Sequence, residues 1–159
     1  MDSKILKDIT NSRILDIIYQ PTEGIISPSN MYVINFNKEG KLFSLHVFCS
    51  LRILLNNRIL LTSCDEIINL KYELINSEID SSLVEHNISN VKKMVEKSVV
   101  TVAEISECGD LIITLSNKMI IEVRPDCLLN MFEYYRLFEY ADLNNKITVS
   151  CMNGNICIK

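Results

Sequence analysis

The chain of 159 residues contains no tryptophan, only four glycines and only three prolines. So few turn-forming residues leave little room for long loops, and 48% hydrophobic residues are enough for a compact globular core. At this length roughly 68–70% of the unfolded chain's surface is buried on folding. We therefore expect residues 1–159 to form a single domain that needs no disulfides or metals for stability.

Targeting signals are missing as well. The N-terminal segment MDSKILKDITNSR has an acidic residue, Asp2, where a secretory leader is basic, and it lacks the apolar stretch of a leader. No uninterrupted apolar run approaches the roughly 18 residues of a membrane-spanning helix. The sequence therefore predicts a cytoplasmic protein with no membrane partner.

The chain also lacks the motifs of metal, nucleotide and covalent chemistry. Its six cysteines are spread singly without a C-x-x-C pair, which is typical of reduced, structural thiols, and two histidines are too few for a His-rich metal site. No phosphate loop, dinucleotide fingerprint, nucleophile elbow or H-E-x-x-H helix occurs. We predict no cofactor, no metal and no enzymatic activity.

Acidic residues slightly outnumber basic ones, 20 Asp and Glu against 16 Lys and Arg, so the net charge is −4. The chain has no cluster of Lys and Arg interleaved with aromatics, which argues against a nucleic-acid partner. A basic protein partner would instead be attracted by complementary potential. The densest acidic stretch is interpreted either as a solvated connection or as a partner-binding patch. It comprises Asp65, Glu66, Glu73, Glu78, Asp80 and Glu85.

Most of what is present has the pattern of β-strands. Runs rich in Ile, Val and Leu are separated by turn residues at 38–40, 56–57 and 153–154, which predicts antiparallel hairpins. On a continuous strand through this region, His46 and Arg52 would share one face.

One segment has a helical pattern instead. Val84, Ile88, Val91 and Val95 recur at the spacing of one helix face, and Ser82 starts an S-x-x-E capping box. This spacing predicts one helix over about residues 83–97.

The order of the β-rich runs repeats along the chain. SLRILLNNRILLTSC returns as YYRLFEYADLNNKITVSC, each with an Arg in an apolar run, an Asn-Asn pair and a final Ser-Cys. We therefore predict an imperfect duplication of about residues 13–64 and 98–151, in which Arg52 corresponds to Arg136 as a structural cation. Cys64 would likewise correspond to Cys151.

The duplication defines the expected fold. The predicted class is α+β and mainly antiparallel β, with two similar β-meander halves and the one connecting helix. The segment 128–140 fits a helix or a strand by periodicity, and the repeat favours a strand.

The stretch LHVFCSLRILLNNRILLTSCDEI resembles a widespread set of small bacterial immunity-type proteins, whose first half carries L-H-x-x-C-x-W-R-I and then a strand ending near Ser-x-Asp. Their second half carries G-x-L-x-L-x-x-x-N/D-G-x-x-L-x-V-x-P-D and then E-x-W-R-L. Leu51 and Tyr135 stand where that pattern has Trp. The matching residues are Leu45, His46, Cys49, Arg52, Ile53, Ser63, Asp65, Gly109, Asp110, Leu111, Val123, Pro125, Asp126, Glu133, Arg136 and Leu137.

Some proteins of this kind lie beside secreted bacterial toxins and protect the producing cell by binding the toxin domain. The resemblance thus implies a non-catalytic protein that binds and neutralises the C-terminal domain of a secreted toxin. Besides the acidic stretch, Tyr134 and Tyr140 are candidate contacts, because Tyr is favoured at interface centres. Core packing is the alternative for both residues.

A different class of function stays open. A small enzyme or ligand-binding protein could use a cleft between the halves, with His46, Cys49 and Arg52 near its mouth. Residues three apart on a regular strand point to opposite faces, so a thiol-imidazole pair of His46 and Cys49 would need a bulge. A structural subunit of a larger complex is the third possibility.

Overall fold

The computed structural model describes residues 3–20, 31–63, 82–125, 133–140, 148–152 and 155–158, which contain two helices and eleven strands. The helices are α1 (Lys4–Ile9) and α2 (Ser82–Val95). The strands are β1 (Arg13–Gln20), β2 (Met31–Lys38), β3 (Lys41–Val47), β4 (Ser50–Leu55), β5 (Arg58–Thr62), β6 (Val100–Ile105), β7 (Leu111–Leu115), β8 (Met119–Arg124), β9 (Glu133–Glu139), β10 (Thr148–Met152) and β11 (Asn155–Ile158).

The strands form two antiparallel sheets. Sheet A has the order β1-β2-β3-β9-β10-β11, and sheet B has the order β5-β4-β8-β7-β6. The chain passes from sheet A to sheet B between β3 and β4, and it returns between β8 and β9. The fold is thus mostly antiparallel β with few helices, as the sequence patterning predicts. The strands of each predicted half are divided between the two sheets.

Several local predictions can be compared with these elements. The helix expected over about residues 83–97 begins at Ser82 and ends at Val95. The ambiguous segment is a strand over Glu133–Glu139, and residues 128–132 lie outside the described ranges. The last two strands pair antiparallel, as expected of a terminal hairpin, although its turn residues 153–154 are also outside those ranges.

The Asn-Asn pair forms the turn between β4 and β5. Asn56 and Asn57 have φ values of 50° and 63°, and Leu55 pairs with Arg58 across the turn. Two consecutive positive φ angles are what a two-residue type I′ hairpin requires, and Asn tolerates them better than most residues. The predicted hairpin at this pair is therefore confirmed.

A single hydrophobic core lies between the inner faces of the sheets. In β3 the buried apolar side chains alternate as Phe43, Leu45 and Val47, and in β8 they alternate with the same period. Helix α2 lies against β1 and β5 and buries Ile88 and Val91. Strand alternation and one helical stripe thus place the apolar side chains away from water.

The strand before β4 ends earlier than the alternation suggests. β3 stops at Val47, and Phe48 and Cys49 carry the chain into the other sheet. The expectation that His46 and Arg52 share one face of a continuous strand is therefore wrong, because His46 belongs to sheet A and Arg52 to sheet B. The apolar alternation continues through the crossing because both strands bury their inner faces in the same core.

Strands β1 and β6 contain matching irregularities. The β1–β2 register shifts between Ile14 and Asp16, and the β6–β7 register shifts between Val100 and Val102. Each shift places one extra residue in the strand, as a β-bulge does. In β1 the bulge allows both Ile14 and Ile17 to be buried, although residues three apart on a regular strand face opposite ways.

A buried hydrogen bond joins the two sheets. Tyr135 of β9 donates its hydroxyl hydrogen to the carbonyl oxygen of Gly109, before β7, over 2.9 Å. Gly109 has a φ of +90°, and a Cβ atom there would lie 3.2 Å from Cys151 Sγ. Only glycine accommodates both this backbone angle and this close approach without strain. Burial raises the pKa of the Tyr135 phenol well above its ordinary value, with Cys151 adding to the effect.

Removing the Tyr135 hydroxyl should destabilise the protein. Tyr135→Phe deletes the donor and leaves the Gly109 carbonyl without this bond, so we expect the free energy of unfolding to fall by about 1–3 kcal/mol. Urea denaturation followed by circular dichroism measures the change. Tyr140→Phe is the matched control, because its hydroxyl is on an exposed residue. Equal stability of Tyr135→Phe and the wild type would contradict the prediction.

The same residue should make stability depend on alkaline pH. The unfolded chain releases the Tyr135 proton near the ordinary pKa of 10.0, whereas the folded chain keeps it to higher pH. The stabilisation is therefore complete below that pH and is lost as the pH rises beyond it. We expect the stability difference between wild type and Tyr135→Phe to be constant from about pH 7 to pH 9 and to shrink above about pH 10. Urea titrations at each pH test this, and a difference unchanged at about pH 11 would contradict it.

Candidate functional site

The outer face of sheet A contains a groove of about 460 Å³ that crosses β1, β2 and β3. Its walls include Leu15, Leu42 and Tyr140, which are 57%, 40% and 62% exposed. We call this hollow the sheet-A groove. On ordinary protein surfaces, exposed apolar side chains are scattered singly. Three large ones around one hollow are typical of a binding surface.

One row of residues on the floor of the sheet-A groove is polar. Asp16, Asn35 and Ser44 lie opposite one another on β1, β2 and β3, so they form one row across the sheet. The Ser44 hydroxyl donates a hydrogen bond of 2.9 Å to Asn35 Oδ1, and Ser44 is buried. The floor is therefore held by its own hydrogen bond, and the carboxylate of Asp16 lies at its end.

The β1 bulge places Asp16 on this face. Its Oδ1 atom accepts a hydrogen bond of 2.9 Å from the Ile17 backbone N–H, and the Lys92 ammonium of α2 lies 2.7 Å from the same oxygen. The Asp16 side chain is 39% exposed, so this ion pair is screened by solvent. A second, smaller hollow between β1 and α2 shares Leu15 and Asp16 with the sheet-A groove.

A series of planar side chains, each in contact with the next, connects Arg136 of β9 with the groove. Arg136 lies over the Phe48 ring at 5.6 Å, and the His46 ring is 6.5 Å from Phe48 and 5.0 Å from Phe138, edge to face. Phe138 in turn stacks on Tyr140 with ring centroids 6.1 Å apart. Such contacts are each worth about 0.5–1.5 kcal/mol beyond burial.

Tyr140 is exposed but held in place. Its ring stacks on Phe138, and its backbone N–H donates a hydrogen bond of 2.7 Å to the carbonyl oxygen of Leu42. A rigid, exposed aromatic side chain loses little conformational entropy when a partner covers it. Tyr140 therefore has the properties of an interface anchor.

The other residues expected to bind a partner are distributed differently. Tyr134 lies on the same strand as Arg136 but is only 5% exposed, and its carbonyl oxygen accepts a hydrogen bond from Phe48. Glu85 is exposed on α2. The remaining acidic candidates lie outside the described ranges, namely Asp65, Glu66, Glu73, Glu78 and Asp80.

The residues considered for a catalytic cleft do not meet in one site. Arg52 lies opposite Glu122 and Thr62 in sheet B, whereas His46 lies opposite Arg136 in sheet A. Both positions alternate with buried neighbours and so face outward from the common core, on opposite sides of it. The three-residue constellation of His46, Cys49 and Arg52 is therefore not assembled.

Leu15, Asp16 and Leu42 are among the groove residues that the sequence analysis does not identify. Leu15 and Leu42 look like core positions because each lies in an apolar strand. The signal that could have found Leu15 and Asp16 is the spacing of Ile14 and Ile17, which can share a buried face on a strand only through a bulge. The signal for Leu42 is the alternation of β3, which turns it away from the core beside Phe43.

Within the described ranges, no group of three or more His, Cys, Asp or Glu residues is placed to hold a metal ion. None of the helices in that part of the chain has the length and apolar character needed to cross a membrane. Comparison with models of protein families, with characterised proteins and with solved structures finds no match.

If the groove walls serve binding, they should matter little for folding. We expect Tyr140→Ala and Leu42→Ala to change the free energy of unfolding by less than about 1 kcal/mol, because each removes mainly exposed contacts. Leu45→Ala, a buried residue of the same strand as Leu42, should cost about 2–5 kcal/mol. Thermal and urea denaturation measure both effects. A loss from Tyr140→Ala as large as that from Leu45→Ala would show that this wall is structural.

Proposed function

We propose that this chain is a non-catalytic binding protein that docks onto a protein partner through the sheet-A groove. The observation that carries this proposal is the convergence of Leu15, Leu42 and Tyr140, all well exposed, on one ordered hollow. Burial of such side chains by a partner contributes roughly 25 cal/mol for each Å² of apolar surface. The rigid sheet beneath them lowers the entropy cost of docking.

We further propose that the partner is the C-terminal domain of a secreted bacterial toxin, which the chain neutralises in the cytoplasm as an immunity protein. This part of the proposal is supported by the sequence resemblance through the LHVFCSLRI stretch. An inhibitor of this kind needs only to cover its target. The groove offers apolar anchors for that purpose and requires no chemistry.

We also propose that the two sheets descend from a duplicated unit, with copies at about 13–64 and 98–151. The first copy gives β1, β2 and β3 to sheet A and β4 and β5 to sheet B. The second copy gives β6, β7 and β8 to sheet B and β9 and β10 to sheet A. The two copies thus contribute equivalent strands in equivalent orders.

Strand register supports the duplication. His46 lies opposite Arg136 where β3 meets β9, and Glu122 lies opposite Arg52 where β8 meets β4. If Arg52 corresponds to Arg136, each of these pairs joins the third strand of one copy to the fourth strand of the other. The bulges of β1 and β6 also fall at the same place.

Register also refines one proposed correspondence. Thr62 and Ser150 are the residues opposite the two equivalent arginines in β5 and β10. This pairing equates Ser63, rather than Cys64, with Cys151. The Ser-Cys ends of the two copies would then be offset by one residue.

Co-expression tests the proposed function. A tagged pull-down from producing cells with mass spectrometry identifies the toxin, which should kill when expressed alone and be tolerated together with this protein. We expect the double variant Leu42→Ala with Tyr140→Ala to lose protection and to weaken binding at least about 100-fold, as hot-spot residues do.

Matched controls come from the other sheet. Ile59→Ala and Val102→Ala remove comparably exposed apolar side chains from sheet B and should keep protection. Loss of protection in these controls, with full protection by the groove variant, would contradict the proposed binding surface. A toxin that is never recovered and a producing cell that encodes none would contradict the immunity function.

A further inference from the structure

We propose that the sheet-A groove receives an arginine side chain of the partner, with the guanidinium bound by Asp16 and covered by the ring of Tyr140. The proposal rests on the proposed function, because it names the chemistry by which the protein partner enters the groove. The occupant is thus a basic, arginine-bearing segment of another protein.

The charge of the groove lining favours a cationic ligand. Among the described residues that line the groove, Asp16 is the only Asp, Glu, Lys or Arg. The protein as a whole carries a net charge of −4. Lys92 lies outside this lining and already pairs with Asp16, so a second cation would share the carboxylate, attracted by the negative net charge of the protein.

One oxygen of the Asp16 carboxylate can accept a further hydrogen bond. The Ile17 N–H and the Lys92 ammonium both contact Oδ1 of Asp16. Within the described part of the chain, no hydrogen bond or ion pair is formed by Oδ2. The Lys92 contact shows that this carboxylate accepts a cation, and Oδ2 can accept a second, charge-assisted hydrogen bond.

The remaining groove surface suits a guanidinium better than an ammonium. The planar guanidinium stacks on aromatic faces and is weakly hydrated, whereas the lysine ammonium is a compact, strongly hydrated charge. Tyr140 presents an exposed ring at one wall, and Leu15 and Leu42 provide apolar cover for a methylene stem. Arg136 over Phe48 is an example of the same contact within this sheet.

The bulge itself does not require an acidic side chain, and the proposed duplication does not require an aromatic one at the place of Tyr140. Asp16 pairs with Asn35 directly after the β1 bulge, and Val102 pairs with Thr114 directly after the matching bulge of β6. The same backbone feature therefore accepts an aliphatic residue. In the proposed duplication Tyr140, four residues after its arginine, corresponds to Asn56.

Lys92 and the partner's arginine share one carboxylate, which gives the proposal a directional test. Asp16→Asn should weaken arginine binding, whereas Lys92→Gln should strengthen it by removing the internal cation. Lys93→Gln changes the net charge equally, but the residue forms no ion pair with Asp16. A difference between the two lysine variants therefore reports the ion pair and not the overall charge.

The experiment is an NMR titration of the full ¹⁵N-labelled chain with blocked tripeptides whose central residue is arginine, lysine or citrulline. Citrulline has nearly the shape of arginine without its charge. We expect the arginine peptide to shift the amide signals of Asp16, Leu42 and Tyr140 and to bind about three- to tenfold more tightly than the citrulline peptide. Asp16→Asn should abolish that preference, and its urea denaturation curve checks that the variant is folded.

Equal affinity for arginine and citrulline, shifts confined to other surfaces, or no shift at about 10 mM arginine peptide would each overturn the proposal. Failure of the proposed function looks different. If Leu42→Ala with Tyr140→Ala loses toxin protection while arginine and citrulline bind equally, the binding function stands and the arginine proposal falls. If the arginine preference depends on Asp16 while protection survives the double variant, the arginine site stands and the docking function falls.

Discussion

The pairing of β3 with β9 is the interaction on which the rest of the structure depends. It joins strands that are about 90 residues apart in sequence, so its formation must offset a substantial loss of chain entropy. Burial of Leu45, Val47 and Leu137 on the inner side of this ladder provides the compensation. On the outer side the same ladder places His46 beside Phe138 and fixes Tyr140 beside Leu42. The core and the groove are thus two faces of one pairing.

Local sequence patterns predict the elements but not their assembly. The alternation of β3, the apolar stripe of α2 and the Asn56-Asn57 turn follow from side-chain periodicity and backbone preference, which are properties of neighbouring residues. The crossing at Phe48 and Cys49 has no such signature, because apolar residues alternate on both sides of it. Which strands share a sheet is decided by contacts between distant segments. The alternation therefore predicts one shared face for His46 and Arg52, whereas the fold places them in different sheets.

The candidate site is partly predictable for the same reason. The cluster of aromatics around β9 marks Tyr140, which is in the groove, but it marks the buried Tyr134 equally, because composition does not distinguish exposure on one face. Leu15 and Leu42 have the residue type of core positions and the exposure of surface positions. Only the three-dimensional structure shows that they line one hollow with the polar row of Asn35 and Ser44.

The β1 bulge links the fold to the groove. On a regular strand consecutive side chains point to opposite faces, so an apolar wall and a charge cannot lie next to each other in sequence on the same surface. One extra residue changes this. It keeps Ile14 and Ile17 in the core and turns both Leu15 and Asp16 outward. The bulge of β6 turns outward Thr101 and Val102, which carry no charge. The bulge is therefore common to both sheets, and in sheet A the side chains placed on it add a carboxylate to the groove.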